Sequence, residues 1–337
     1  MRRTLWAGAG LLMGVWVWGF AALPGGTAAG QGAPADHRGS LGLPEADSFH
    51  QDPTIWVLSR ADRSITVLDG ATGSRVGRVD LGFRSDPWDL AYGNGFVWVG
   101  NAGGSLQQVD VSSRRVSATI AMEMDVTSVA AAAHGVYGVD HERSLLSRHD
   151  PVSGELLDVM DLPDRIHAAG AGPQATLLVL GDRQEVHAFQ GKSTESAVFP
   201  GALGPGDMAY GFGSLWLYQM DQRLLRLDPL SGAVVAEIPD TNVDEWAAGP
   251  GRGISVGESR VWITSLETGE ALAVDPATDR VTRRIPVGDY PEHAVELNGQ
   301  LWVILPQEDL VARFDVATGE ALGTSRVDFP SRILVVP

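Results

Sequence analysis

Seven positions recur along this chain in a common register: Asp89, Ser128, His167, Asp207, Trp246, His293 and Arg332, at intervals of 39, 39, 40, 39, 47 and 39 residues. A period near 40 with strand-like content is the mark of one four-stranded unit repeated around an axis. The expected fold is all-β: a seven-bladed β-propeller with four-stranded antiparallel blades over residues 53–337. Nine residues after the marker comes a large ring, at Trp98, Tyr137, Trp216 and Trp302. Twelve or thirteen residues after that ring comes an aspartate, at Asp110, Asp150, Asp228, Asp275 and Asp315, and Trp56 with Asp69 begins the series.

The aspartates open hairpin turns such as Asp69-Gly-Ala-Thr-Gly73 and Asp228-Pro-Leu-Ser-Gly232. An Asp side chain accepts from nearby backbone N–H groups, and Gly tolerates the positive φ that such turns need. Between turns the chain alternates, as in Ser64-Ile-Thr-Val-Leu68, or runs apolar, as in Phe96-Val-Trp-Val99. Those are the patterns of half-buried and fully buried strands. Unit four is degenerate: Leu178 or Val179 replaces the ring, and Gln190-Gly-Lys192 replaces the Asp turn. The long interval from Trp246 to Trp262 predicts an extended inner hairpin around residues 249–253. The last residues, Pro330–Val335, match the segment Pro87-Trp-Asp-Leu-Ala91 that begins an inner strand. They are expected to pair with Ile55–Leu58 and close the ring.

The N-terminus carries Met1-Arg2-Arg3, an apolar run from Leu5 to Leu23, and the small-residue stretch Gly25–Gly30. This is the layout of a signal peptide (residues 1–29), and the run is also long enough to serve as an N-terminal membrane anchor. The arginines would hold the N-terminus in the cytoplasm and place the propeller outside. Either way the domain is exported, whether extracellular, periplasmic or anchored facing outward, and residues 30–52 read as a flexible linker. A formal charge of -17 repels phosphate backbones and argues against nucleic acid as a partner. No cysteine is present, which excludes disulfides and a thiol nucleophile.

The marker ring keeps its register while its chemistry varies: two carboxylates, two imidazoles, a guanidinium, a hydroxyl and an indole. Equivalent positions in a ring of repeats share one height and one radius, so these side chains are expected at one end of the central channel. The candidate ligand-binding set is Asp89, Ser128, Asp207, Trp246 and Arg332, with Trp88 and Glu245 beside it. His293 and His167 are the candidate catalytic bases, and Glu292 is the candidate metal ligand. Asp and His that merely satisfy one another and water would give the same pattern. Arg332 is expected to lower the pKa of His293 and to serve as the anion-binding group.

Val97-Trp-Val-Gly-Asn101 and Val261-Trp-Ile-Thr-Ser265 resemble the YVTN-type propeller repeat, in the superfamily that includes the streptogramin (virginiamycin B) lyases. The resemblance implies a seven-bladed propeller. It also implies an activity, a magnesium-dependent lyase with a histidine at the channel mouth, and His293 in Pro291-Glu292-His293 matches that position. Two readings follow. The first is an exported non-catalytic propeller, monomeric, binding a small molecule or a cell-envelope or protein partner at the channel mouth. The second is a lyase-like or hydrolytic enzyme dependent on Mg²⁺ or Ca²⁺. On either reading the membrane is touched only through an uncleaved N-terminal segment.

Overall fold

The computed structural model describes residues 52–337 apart from 163–164, 173–175, 182–184, 191–195, 201–205, 220–222, 240 and 242–252. The leader and nearly all of the linker lie outside the described residues, as do Glu245, Trp246, Gly191 and Lys192.

The fold is a β-propeller of four-stranded antiparallel sheets. Numbered from the N-terminus, sheet 1 takes its inner strand from the other end of the chain: Pro330–Val336, then Thr54–Ser59, Ser64–Asp69 and the outer strand Arg75–Asp80. Sheet 2 runs Pro87–Gly93, Phe96–Asn101, Ser105–Asp110, Arg115–Ala121, and sheet 3 runs Ser128–Ala132, Gly135–Asp140, Leu145–His149, Leu156–Asp161. The inner strands of sheets 4, 5, 6 and 7 are Ile166–Ala171, Gly206–Gly211, Ile254–Val256 and His293–Leu297. Consecutive inner strands lie against one another, and Pro330–Val336 sits between His293–Leu297 and Pro87–Gly93.

Burial explains which segment takes which place. The second strand of sheet 2 is buried along almost its whole length, whereas its outer strand alternates exposed and half-buried residues. A strand covered by neighbouring sheets on both faces must be apolar throughout, while an edge strand must keep one face wet. The repeated rings Trp56, Trp98, Tyr137, Trp216, Trp262 and Trp302 are all fully buried. Most face a small residue on the inner strand, as in Ala91↔Trp98, Ala130↔Tyr137 and Ala209↔Trp216. The narrow centre of the ring leaves room for alanine there, and the indole fills the widening gap to the next sheet.

The Asp turns hold as the residues suggest. In sheet 1 the Asp69 carboxylate accepts from the Thr72 amide at 2.7 Å and the Thr72 hydroxyl at 2.6 Å, and Gly73 takes φ +76°. The same carboxylate-to-amide bond, two or three residues on, recurs at Asp110, Asp150, Asp228, Asp275 and Asp315.

One expectation about the strands is corrected. The inner hairpin of sheet 6 is short: Ser255 pairs with Trp262 across a tight turn. The inserted residues therefore precede the inner strand, because pairing fixes nine residues from the ring position to the aromatic and leaves no room for an insertion between them. Counting back nine from Trp262 reaches Gly253, not Trp246. In sheet 4 it is Val179, facing Ala169, that takes the place of the aromatic.

Candidate ligand site at the channel mouth

Five of the seven sequence-chosen ring residues line one cavity of about 160 Å³: Asp89, Ser128, Asp207, His293 and Arg332. They come from the inner strands of sheets 2, 3, 5, 7 and 1, and each stands within the first three residues of its strand. His167 is the second residue of the sheet 4 inner strand, whose Ala168 and Ala169 also line the cavity. The sheet 6 position belongs to Gly253, whose N–H donates to the Glu292 carbonyl and whose carbonyl accepts from Thr264. The nine-residue spacing before Trp262 was the signal for Gly253.

Asp89 organises one side of the cavity. One carboxylate oxygen accepts from the Ser128 hydroxyl at 2.8 Å and the Val129 amide at 2.9 Å. The other accepts from Nε of Arg332 at 3.0 Å. Three successive inner strands are thereby joined through one carboxylate. The ion pair is well shielded, each side chain being 11% exposed. Arg332 also donates to the Ser331 carbonyl. Its charge is offset by Asp89, so the expected role as a dedicated anion-binding group does not follow from the geometry.

His293 keeps a little surface toward the cavity, yet protein surrounds its ring closely. Burial is the main force that lowers its pKa from 6.5 to about 4, and the Arg332 charge adds to it. Asp89 and a backbone hydrogen bond at Ile333 oppose the shift without reversing it. The imidazole is therefore neutral near pH 7, and its Nδ1 makes no hydrogen bond within the protein. Asp207 is buried and accepts from the Met208 amide at 2.9 Å.

Trp88 and Glu292 sit beside this cavity without lining it. A register irregularity between Pro87 and Asp89 sets Trp88 apart as an extra residue, and the Arg60 guanidinium lies 3.6 Å from its ring centre. The backbone of Glu292 bonds Ile304, Thr264 and Gly253.

Among the described residues, those lining the cavity do not suit the hard cation that the lyase resemblance implies. Mg²⁺ and Ca²⁺ demand several oxygen ligands, and both oxygens of Asp89 are engaged by donors. Among the described residues no group of three or more His, Asp or Glu side chains could hold a metal ion. His149 lies away from this cavity and has a structural place. It is fully buried between the Gly154 carbonyl and the Ser147 hydroxyl, and burial lowers its pKa.

No protein-family model matches the chain, and neither does any curated protein. Solved structures do match, and three of them show the low identity involved. A putative 6-phosphogluconolactonase from Bacteroides fragilis superposes with a TM-score of 0.68 at 15% identity, covering 87% of this chain and all of that one. Citrobacter koseri AztD gives 0.61 at 9%, covering 84% and 97%. The dihydro-heme d1 dehydrogenase NirN, in complex with DHE, gives 0.60 at 16%, covering 83% and 74%. These likenesses are likenesses of fold. Propellers carry unrelated chemistries on one scaffold, so function must be argued from the site.

Proposed function

We propose that this chain is an exported, non-catalytic β-propeller that binds a ligand or an envelope or protein partner at its channel mouth. The observation that carries the reading is the convergence of five side chains of four chemical kinds, from five different sheets, on one polar cavity. Packing alone selects similar residues at equivalent positions, whereas recognition selects different ones. Polar groups converging in a concavity are the usual form of a binding site. We also read the sheets as seven blades of one ring closed through the C-terminal strand, a reading supported by the pairing of Ile55 with Val335 and Val57 with Ile333. Export is supported by the basic, apolar and small-residue order of the first 30 residues.

A general base works best with a pKa near the operating pH. At about 4, His293 is a weak base at neutrality and a good neutral hydrogen-bonding group. That favours binding over catalysis. The test is crystallography and thermal shift of the wild type and of His293→Ala and Ser128→Ala against a panel of small polar molecules. A molecule seated between His293 and Asp207 whose stabilisation vanishes in His293→Ala supports the reading. A cavity holding only water across the panel, with identical melting of both variants in every condition, overturns it.

A further inference from the structure

We propose that the rim above His293, Arg332 and Asp89 is a docking surface for a basic segment of a protein partner. The proposal rests on the channel-mouth reading and narrows its partner. The connections into three adjacent inner strands share a pattern: a residue followed by proline, three positions before the ring residue, as Tyr290-Pro291, Phe329-Pro330 and Asp86-Pro87. Tyr290 is 49% exposed, Phe329 50%, and Phe83, on the third connection, 79%. Three large aromatic side chains thus stand in water on three neighbouring loops, all leading into the strands that build the polar cavity.

Two of them hold an unfavourable backbone. Tyr290 has φ 52° and Phe329 φ 44°, a region that bulky residues avoid. Acidic side chains fix these loops: the Phe329 amide donates to Asp309 at 2.8 Å and the Asp289 amide to Glu308 at 3.2 Å. Strain retained at a bulky, solvent-facing residue points to a role outside the fold's own packing. Exposed aromatics on held loops are also pre-organised anchors, which lowers the entropy lost on docking.

The charge of the rim selects the partner. Asp86, Asp289 and Asp328 are exposed on these loops and Glu308 on the neighbouring turn Pro306–Glu308, against the exposed Arg84 and Arg326, on a chain of net charge -17. A guanidinium or ammonium approaching this surface meets carboxylates and aromatic faces together, and cations stack on such faces. The molecule shows the same chemistry internally, with Arg84 5.4 Å from the Phe83 ring centre and Arg60 on Trp88.

The experiment measures fluorescence anisotropy of a labelled decapeptide alternating Arg and Gly, and of its Glu-for-Arg counterpart, at low and physiological salt. The Arg peptide is expected to bind and the Glu peptide not to. Phe83→Ser with Phe329→Ser should weaken binding about tenfold or more. Phe329→Gly, which removes the strain, should raise the melting temperature while it weakens binding. Undiminished binding by the double variant would show that charge alone attracts the peptide and would overturn the proposal. So would preferential binding of the Glu peptide or of a neutral oligosaccharide, or a fall in the melting temperature of Phe329→Gly. His293→Ala, read against a cavity-bound small molecule, separates the two claims. If rim variants lose nothing while that binding persists, the docking surface fails and the cavity reading stands.

Discussion

At the scale of single residues, the site stores its chemistry in two groups with opposite demands. The Asp89–Arg332 pair is charged and shielded, and removing one partner strands the other charge. Arg332→Ala is expected to cost about 3 kcal/mol, and Asp89→Ala with Arg332→Ala together much less than the sum of the single changes. Urea denaturation of the four proteins in a double-mutant cycle checks this, and additive effects would show that the pair is not coupled. His293 is the reverse case, a group held neutral. Its folded pKa of about 4 lies below the unfolded 6.5, so the unfolded chain binds a proton there first. Stability is unaffected above pH 6.5 and falls as the pH drops from 6.5 toward 4, by at most about 3 kcal/mol at 1.36 per unit. The turn carboxylates act lower. Hydrogen bonds to the turn hydroxyls and amides hold Asp69, Asp110, Asp228, Asp275 and Asp315 below their usual 3.8. Their contribution is present above 3.8 and lost as the pH falls through the lowered values. Unfolding free energy plotted against pH should therefore fall in two phases, and His293→Gln should flatten only the upper one. A variant with the wild-type profile between pH 6.5 and 4 would refute the assignment.

At the scale of elements, one register position shows how adjacent sheets are tied. In three sheets the residue facing the repeated aromatic on the third strand reaches to the Asp turn of the next sheet, whereas Val67 and Ala273 hold that position opposite Trp56 and Trp262. Gln108 donates to the Val152 carbonyl at 2.8 Å, Arg226 to the Pro276 carbonyl at 2.8 Å and to Asp279 at 2.9 Å, and Arg313 to the Ala71 carbonyl at 3.1 Å. Arg148 holds the same position opposite Tyr137. Its Nε and Nη1 are buried and make no hydrogen bond, and Asp158 lies 4.0 Å away. In the sequence, Gln190-Gly-Lys192 replaces the Asp turn at the corresponding point of sheet 4. Arg226→Met and Arg313→Met are therefore expected to cost about 1–3 kcal/mol each, as lost bonds to a charged donor do. Arg148→Met should be neutral or stabilising, since it removes a buried charge without its usual acceptor. Melting temperatures of the three variants test the order, and a loss in Arg148→Met matching the others would overturn it. The same comparison shows what was legible beforehand. Strand identity, Asp turns and the ring of Asp89, Ser128, Asp207, His293 and Arg332 follow from spacing, because pairing register and repeat period are one constraint. Gly253 was hidden because an insertion broke the count. The aromatic rim escaped notice because exposed loop residues obey no period.

At the scale of the whole molecule, the first and last segments of the propeller form one sheet. Thr54–Ser59 is bonded on one side to Ser64–Asp69 and on the other to Pro330–Val336. That last strand also brings Arg332 to Asp89, so the first sheet and the site depend on the same strand. Deleting residues 331–337 removes Ile333 and Val336, both buried, and exposes the edge of Thr54–Ser59. Buried aliphatic side chains are worth about 1.5–3 kcal/mol each, so the loss is expected to reach about 5 kcal/mol once the Arg332–Asp89 pair is included. An open strand edge also invites pairing between molecules. The truncated protein should melt lower and scatter more light on warming, and a synthetic peptide spanning residues 328–337 should restore part of both losses by refilling the vacated edge. Restoration should fail for a peptide carrying Ile333→Asp, which cannot enter the core, and should survive Arg332→Ala at reduced strength. A truncated protein with unchanged melting, or rescue indifferent to Ile333, would mean that the C-terminal strand lies on the ring without holding it together.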